Sequence, residues 1–135
     1  MLKLVLIRGV PGSGKTTLAC QAYKTCYLVE ADQFFLNPET GEYKFDPEKI
    51  SEAHAWCQNR AKWYLKHGLN TVVANTFTRL WEMGYYVDLA KELGAELTVV
   101  RCEGRYPNSH GCPEEHVQKM RDRFEDYPGE FLFNS

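Results

Sequence analysis

The chain has 135 residues, 44% of them hydrophobic and 25% charged, and a formal net charge of −2. Those values describe a single globular domain, 1–135, with enough apolar surface for one core. They exclude a disordered tail, a low-complexity segment and a protein that coats nucleic acid through bulk positive charge. No apolar run approaches the ~18 residues that span a membrane. No secretory layout precedes the glycine-rich segment beginning at Gly9, so the chain is expected to be cytoplasmic. Its five cysteines are widely spaced with no Cys-x-x-Cys, which argues for isolated thiols rather than disulfides or a zinc site.

The elements alternate along the chain. Leu2 to Arg8 reads as a buried strand, Gly9 to Gly14 as a glycine-rich turn, and Lys15 to Tyr23 as a helix with Leu18 and Ala22 on one face. Cys26 to Glu30 is a short second strand, and Asn37-Pro38 and Thr40-Gly41 punctuate a loop. Asp46-Pro47 caps a helix that carries Ile50, Ala53, Cys57, Ala61 and Tyr64 or Leu65 on its apolar face and stops at Gly68. Leu69 to Ala74 is a third strand. Thr78 is placed to cap a helix with Trp81, Tyr85, Leu89 and Leu93 at helical spacing, ended by Gly94. Glu96 to Val100 is a fourth strand. Arg101 to Cys112 is polar and irregular, and a last helix opens at Pro113 with Val117, Met120 and Phe124 as its stripe. Beyond Pro128-Gly129, Phe131 and Phe133 are expected to dock on the core. This alternation predicts an α/β fold with a parallel sheet of about four strands. The glycine-rich segment Gly9–Thr16, G-x-x-x-x-G-K-T between strand and helix, makes the expectation a three-layer P-loop NTPase fold with a C-terminal lid and helix.

The strongest local signal is Gly9-Val10-Pro11-Gly12-Ser13-Gly14-Lys15-Thr16, which fits G-x-x-x-x-G-K-[ST] between a strand and a helix. Glycines let the backbone curl so that several N–H groups aim at one anion, and the helix start adds the positive end of its dipole. Gly12, Ser13, Gly14, Lys15, Thr16 and Thr17 are therefore the expected contacts for ATP or another nucleoside triphosphate. Lys15 would bridge the outer phosphates, and the Thr16 hydroxyl would ligate Mg2+.

The guanine-reading N-K-x-D string is absent, and the chain is short for a motor ATPase. A small kinase fits better. Phosphoryl transfer to a hydroxyl benefits from a carboxylate that takes the hydroxyl proton, and Asp32 lies just past the second strand, at the sheet edge where such folds bind ligands. Glu30 is the runner-up; if the strand ends there, its side chain is expected to face away. Asn75 stands where many P-loop enzymes place an acid. It could reach a magnesium-bound water or serve a purely structural turn. Arg105 is the first candidate for a lid arginine that neutralises transferred charge, with Arg101, Arg121 and Arg123 as alternates. His110 could donate to phosphate or be an ordinary loop histidine. His54, His67 and His116 read as helix-surface or core residues. Phe34, Phe35, Tyr43 and Trp56 either line a compact ring pocket or belong to the core.

Four segments together carry a resemblance: G-V-P-G-S-G-K-T-T (9–17), A-D-Q-F-F (31–35), V-V-A-N-T (72–76) followed by W-E-M (81–83), and G-R-Y-P-N-S-H-G-C-P (104–113). The chain resembles the kinase module of bacteriophage polynucleotide 5′-hydroxyl kinases and related small AAA-type, zeta-toxin-like ATP-binding proteins. That resemblance implies phosphate and magnesium roles for Lys15 and Thr16, a general-base role for Asp32 and a lid role for Arg105. Two positions depart from it. Asn75 replaces an aspartate, and Phe35 replaces an arginine that grips the acceptor's phosphate in the best-known phage enzyme.

The leading expectation is thus an ATP-dependent phosphotransferase acting on a hydroxyl. Its partner would be a nucleotide together with a single-stranded nucleic-acid 5′ end or a small hydroxyl acceptor. A small-molecule or nucleotide kinase on the same scaffold is the first alternative, and an ATP-binding or ATPase module acting through a partner is the second. The charge split bears on the acceptor. Residues 1–29 carry Lys3, Arg8, Lys15 and Lys24 and no acid, whereas 30–52 carry seven acids against Lys44 and Lys49. An acidic stretch beside the proposed base argues against a long anionic groove.

Overall fold

A computed structural model describes residues 1–106 and 111–133. Strands β1 (Lys3–Arg8), β2 (Tyr27–Val29), β3 (Thr71–Asn75), β4 (Glu96–Cys102) and β5 (Phe131–Phe133) form one sheet in the order β2-β3-β1-β4-β5, with every neighbouring pair parallel. Side chains alternate across a strand, so a sheet covered on both faces needs apolar residues at consecutive positions. β1 meets that need. Leu4 and Leu6 enter one core cluster while Val5 and Ile7 enter the other. Val73 and Val72 of β3 divide in the same way, as do Val99 and Val100 of β4.

Helix α1 (Lys15–Ala22) covers one face through Leu18 and Ala19. Helices α2 (Ile50–Lys66) and α3 (Gly84–Leu93) cover the other through Ala61, Leu65, Leu89 and Ala90. The three layers expected from the alternation are present. Leu4 and Leu6 are fully buried, and truncating either to alanine costs about 2–5 kcal/mol.

Asp46 begins the α2 segment as expected, its carboxylate accepting from the Glu48 N–H at 3.0 Å. Pro47–Lys49 forms a 3-10 turn that runs into α2. Gly94 ends α3 in the left-handed region (φ 66°), where a side chain would be strained.

Three expectations are corrected. First, the sheet has a fifth strand. Phe131 and Leu132 are exposed on its edge, and only Phe133 packs on the α1 side of the core. Second, Thr78 does not cap a helix. Its hydroxyl donates to Glu82 Oε1 (3.0 Å), which also accepts from the Arg79 N–H (2.9 Å), and a 3-10 turn (Leu80–Met83) precedes α3. Third, that tighter turn shifts the helical register. Trp81 projects into solvent, 79% exposed, and Tyr86 rather than Tyr85 is buried. At the C-terminal end, α4 (Glu114–Asp122) stops before Phe124, which packs beyond it.

The segment after α4 is fastened to the end of β1. Buried Arg8 donates to the Phe77 carbonyl from Nε (3.1 Å) and Nη2 (2.7 Å), and to Glu130 Oε1 from Nη1 (2.9 Å). The Arg8 and Arg101 guanidiniums each lie 4.4 Å from the centre of the Phe124 ring. Arg101 also pairs with Glu103, Asp126 and Glu130. This lattice fixes the strand end from which the glycine-rich loop departs.

Candidate active site

The loop leaves β1 at Gly9, whose N–H donates to the Thr76 carbonyl (3.1 Å) and so ties it to the end of β3. Gly12 (φ 82°) and Gly14 (φ 97°) adopt the left-handed conformations that curl the backbone into a cradle. Gly9 is needed for space. A Cβ there would lie 2.3 Å from Ser13 Oγ and 2.9 Å from the Cys102 carbonyl oxygen. Ser13 is buried, and its hydroxyl has no hydrogen-bond partner among the described residues. The first amides of α1 have no acceptor within the helix, as at any helix start. Thr16 and Thr17 stand exposed on this turn.

Lys15 Nζ reaches back to donate to the carbonyls of Gly9 (2.8 Å) and Val10 (3.1 Å). Burial pushes its ammonium below the ordinary lysine range. Glu30 opposes that most strongly, with Cys102 and Asp32 adding weaker support.

The Thr16 hydroxyl donates to Glu30 Oε2 at 2.8 Å. Glu30 therefore faces the site, and the condition for it to face away, a strand ending at Glu30, is not met. β2 ends at Val29, so the strand's alternation no longer dictates where Glu30 points. Asp32 follows in a 3-10 turn (Ala31–Phe35), exposed, with Oδ1 accepting from the Tyr43 hydroxyl at 3.1 Å. Burial and the Asp32 carboxylate push the Tyr43 phenol up to about 12. Lys15, Thr16, Glu30 and Asp32 are thus gathered at one edge of the sheet.

Asn75 is engaged by the protein at both ends of its amide. Oδ1 accepts from the Ala31 N–H (2.9 Å), and Nδ2 meets the Cys57 sulfur (3.6 Å). That is the structural alternative for this residue: it holds the turn carrying Asp32 against the end of β3. Phe35 is buried, with its ring against Tyr43, Phe45 and Phe34, and Phe34 leans on Trp56. These rings pack on one another and support the Asp32 turn.

On the β4 side, the Gly104 N–H donates to the Ser13 carbonyl (3.1 Å) and the Tyr106 N–H to the Gly12 carbonyl (2.7 Å). Arg105 is therefore clamped beside the cradle by its neighbours, with its own side chain exposed and making no hydrogen bond or ion pair among the described residues. Gly104 opens the 104–113 segment, but the sequence alone assigns it no role of its own. A Cβ there would lie 2.7 Å from the Ser13 carbonyl oxygen and 2.7 Å from the Tyr106 ring. A cleft of about 290 Å³ opens next to Val10, bounded by Arg101, Arg105, Arg121 and Phe124. Of the alternate arginines, Arg101 is tied to the acids named above, Arg121 to Glu114 (2.8 Å) and Arg123 to Thr78 (3.3 Å). His110 lies outside the described residues, as do the other residues of 107–110.

A strand-bound glycine cradle on the central strand of a parallel sheet, with helices on both faces, defines a P-loop NTPase domain of kinase-like form. Residues 4–127 match the family described as "AAA domain", and the chain belongs to it. It is 31% identical over 140 residues to NEDD4-binding protein 2 of Homo sapiens, covering 93% of this chain and 8% of that protein. The chain thus spans a small part of that relative's length. It is 28% identical over 144 residues to the uncharacterized protein PM0531 of Pasteurella multocida, covering 95% of this chain and 79% of that one.

Among solved structures it shares its fold with a sugar kinase from Janibacter (TM-score 0.65, 19% identity, 100% of this chain and 85% of that one). It shares it also with the Mycobacterium tuberculosis APS kinase CysC in complex with AMPPNP and APS (TM-score 0.62, 12% identity, 98% and 88%). A third match is a chain of the Pnkp1/Rnl/Hen1 complex (TM-score 0.61, 23% identity, 87% and 38%). No helix among the described residues is long and apolar enough to cross a membrane.

Proposed function

We propose that the chain is an ATP-dependent phosphotransferase that moves the γ-phosphoryl group to a hydroxyl, with a nucleic-acid 5′-OH as the leading acceptor. The observation that carries this reading is the meeting of Lys15, Thr16 and two carboxylates at one sheet edge. Glu30 touches Thr16, and Asp32 stands beside them in the next turn. In this reading, holding the phosphates and Mg2+ is assigned to Lys15, Thr16 and Glu30, and the chemistry to the second carboxylate. A kinase needs one to take the acceptor's proton.

In this reading Lys15 turns from the Gly9 and Val10 carbonyls to the outer phosphates of ATP, beside the N–H groups of residues 12–17. The acceptor hydroxyl approaches the γ-phosphorus and gives its proton to an Asp32 oxygen. The new O–P bond forms as the bond to the β-phosphate oxygen breaks, and ADP leaves. Arg105 offsets charge on the transferring group.

The donor set fits Mg2+: a hydroxyl and a carboxylate supply hard oxygens, and Mg2+ commonly takes one or two such ligands alongside substrate phosphates. Among the described residues no group of three or more His, Cys, Asp or Glu is placed to hold a metal ion. When bound, the ion neutralises phosphate charge. Thr16 and Glu30 would hold it.

A small neutral acceptor is the second reading, favoured by Phe35. Its buried ring occupies the position where the resemblance would place a phosphate-gripping arginine. Labelled ATP with a panel of 5′-OH oligonucleotides, nucleosides and sugars separates the readings. Transfer to oligonucleotides with a steep loss of affinity in salt supports the first. Transfer only to small compounds with no salt dependence supports the second. Binding of ATP with no transfer to any acceptor overturns both.

A further inference from the structure

A second groove, of about 280 Å³, lies between the start of α2 and the turn that leads into α3. In a parallel sheet the helix that returns from each strand begins at the carboxyl edge, so this groove opens on the same edge as the phosphate cradle. Its walls include Phe77, Trp81 and Tyr86, with Ser51, His54, Gln58 and Glu82 as the polar residues. Tyr86 forms the inner wall. Trp81 stands at the mouth with most of its indole in water, although a residue of that size is usually at least half covered.

The Phe77 wall is strained. Its φ is 45°, a left-handed conformation that a bulky side chain adopts only when its surroundings enforce it. Here Arg8 enforces it through two hydrogen bonds to the Phe77 carbonyl, and the ring is held edge-on against Tyr86, 5.7 Å between centroids. The groove is therefore pre-shaped. It is also coupled to the proposed base: Asn75, two residues before Phe77, holds the Ala31 amide with one end of its side chain and meets Cys57 of α2 with the other.

The chemistry of the walls selects the occupant. No lysine or arginine lines the groove, and its one carboxylate is Glu82, so it rejects a phosphate group. Its volume sits just below the roughly 300–1,000 Å³ of small-ligand sites, enough for one ring system and too little for a polymer segment. Aromatic walls with a few hydrogen-bonding groups suit an uncharged heteroaromatic ring. The ring cluster formed by Phe34, Phe35 and Tyr43 cannot do this work, because those rings fill one another's space.

We infer that this groove seats the base of a nucleoside-type acceptor, stacked on Trp81, while the acceptor's hydroxyl reaches Asp32. The inference rests on the phosphotransfer reading and narrows its acceptor to one bearing a heteroaromatic ring.

The test needs no turnover. The indole N–H resonances of Trp56, Trp63 and Trp81 are followed in the intact chain while a 5′-hydroxyl dinucleotide, or its abasic counterpart with the same phosphate, is added. The Trp81 signal is identified by its loss in Trp81→Phe. The base-bearing dinucleotide should shift the Trp81 signal and the abasic one should not. Trp81→Ala should weaken binding about tenfold, the scale of one lost base stack, and Trp81→Phe should restore most of it. Equal binding of the abasic compound overturns the inference, and so does a shift confined to Trp56 or no response at Trp81. Transfer from ATP is measured in parallel. If Trp81 responds but no phosphate moves, the phosphotransfer reading falls and the ring site stands. If the parent chain moves phosphate as well to ring-free sugars as to nucleosides, and Trp81→Ala leaves transfer to nucleosides unchanged, the ring site falls and the phosphotransfer reading stands.

Discussion

The Tyr43 hydroxyl donates to the Asp32 carboxylate across 3.1 Å, tying the loop that pairs Leu36 with Tyr43 to the proposed base. That bond engages Oδ1 and orients the carboxylate. Asp32→Asn should leave ATP affinity unchanged and lower transfer by about 10²–10⁴, the usual worth of a positioned general base. Tyr43→Phe should lower kcat severalfold with little change in KM for ATP, and should add nothing in an Asp32→Asn background. Full transfer by Asp32→Asn removes the base assignment.

The Thr16–Glu30 contact makes a separate claim about the nucleotide. Lys15→Ala removes the cation facing the outer phosphates, and its affinity for ATP should fall by at least tenfold, about 1.4 kcal/mol. Glu30→Gln keeps an acceptor for the Thr16 hydroxyl but lowers the site's negative charge. It should leave metal-free ATP binding intact while raising the Mg2+ concentration needed for half-maximal transfer. Calorimetric titration of ATP with and without Mg2+ distinguishes the two roles. An unchanged Mg2+ requirement in Glu30→Gln excludes Glu30 from the metal's surroundings.

Gly104 is a steric requirement rather than a conformational one. An alanine methyl at this position meets the Ser13 carbonyl oxygen and the Tyr106 ring, both at 2.7 Å. The backbone must then lift from the cradle, weakening the bonds from Gly104 to Ser13 and from Tyr106 to Gly12. Arg105 moves with it. Gly104→Ala should therefore lower transfer at least tenfold while its melting temperature falls only modestly. If Gly104→Ala matches the parent protein in transfer, the segment is not clamped as described.

The Glu130 side chain is 7% exposed and pairs with a fully buried Arg8, while its other oxygen accepts from the Tyr127 N–H (3.0 Å). Removing one partner of such a pair leaves the other charge uncompensated, typically at a cost of 3–5 kcal/mol. Glu130→Ala should lose about that much in urea unfolding and release β5. Glu130→Gln should lose less, because its amide oxygen can still accept from Arg8. Equal stabilities of the two variants would show that the charge, rather than the hydrogen-bonding geometry, sets the cost.

The cradle and the central sheet were legible because their signals are local. A G-x-x-x-x-G-K-T string between a consecutive apolar run and a helix has few other readings, and Asp32 could be placed from the strand that precedes it. What escaped depends on approach in space. Gly9 and Gly104 are both set by Ser13, and nothing in the sequence says that residue 104 returns to residue 13. β5 has three residues and forms only because β4 offers an edge. Glu30 turned toward Thr16 once the strand stopped one residue earlier than expected. Trp81 was read as part of a helical stripe because a 3-10 turn and the first turn of an α-helix carry similar sequences.

The last prediction concerns alkaline pH, where two groups near the site titrate late. Burial pushes the Cys102 thiol from 9.0 up to about 11, with Lys15 pulling weakly the other way. Burial, aided by Asp32, pushes the Tyr43 phenol from 10.0 up to about 12. Each keeps its proton in the folded chain at a pH where the unfolded chain has lost it. Stability from both is fully present below about pH 9 and declines as pH rises, through 9–11 for Cys102 and 10–12 for Tyr43. Lys15 contributes with the opposite sign. Its lowered value means that the unfolded chain binds more protons as pH approaches 10.5, so stability from this group rises there. In the urea midpoint, followed from pH 8 to 11, the share carried by Cys102 and Tyr43 should fall with rising pH while that of Lys15 rises. Cys102→Ala should start lower but have a less negative slope with pH than the parent, and Lys15→Ala a more negative one. A Cys102→Ala curve parallel to that of the parent would mean that the thiol is no more buried than in the unfolded chain, and that the strand end beside the cradle is open to water.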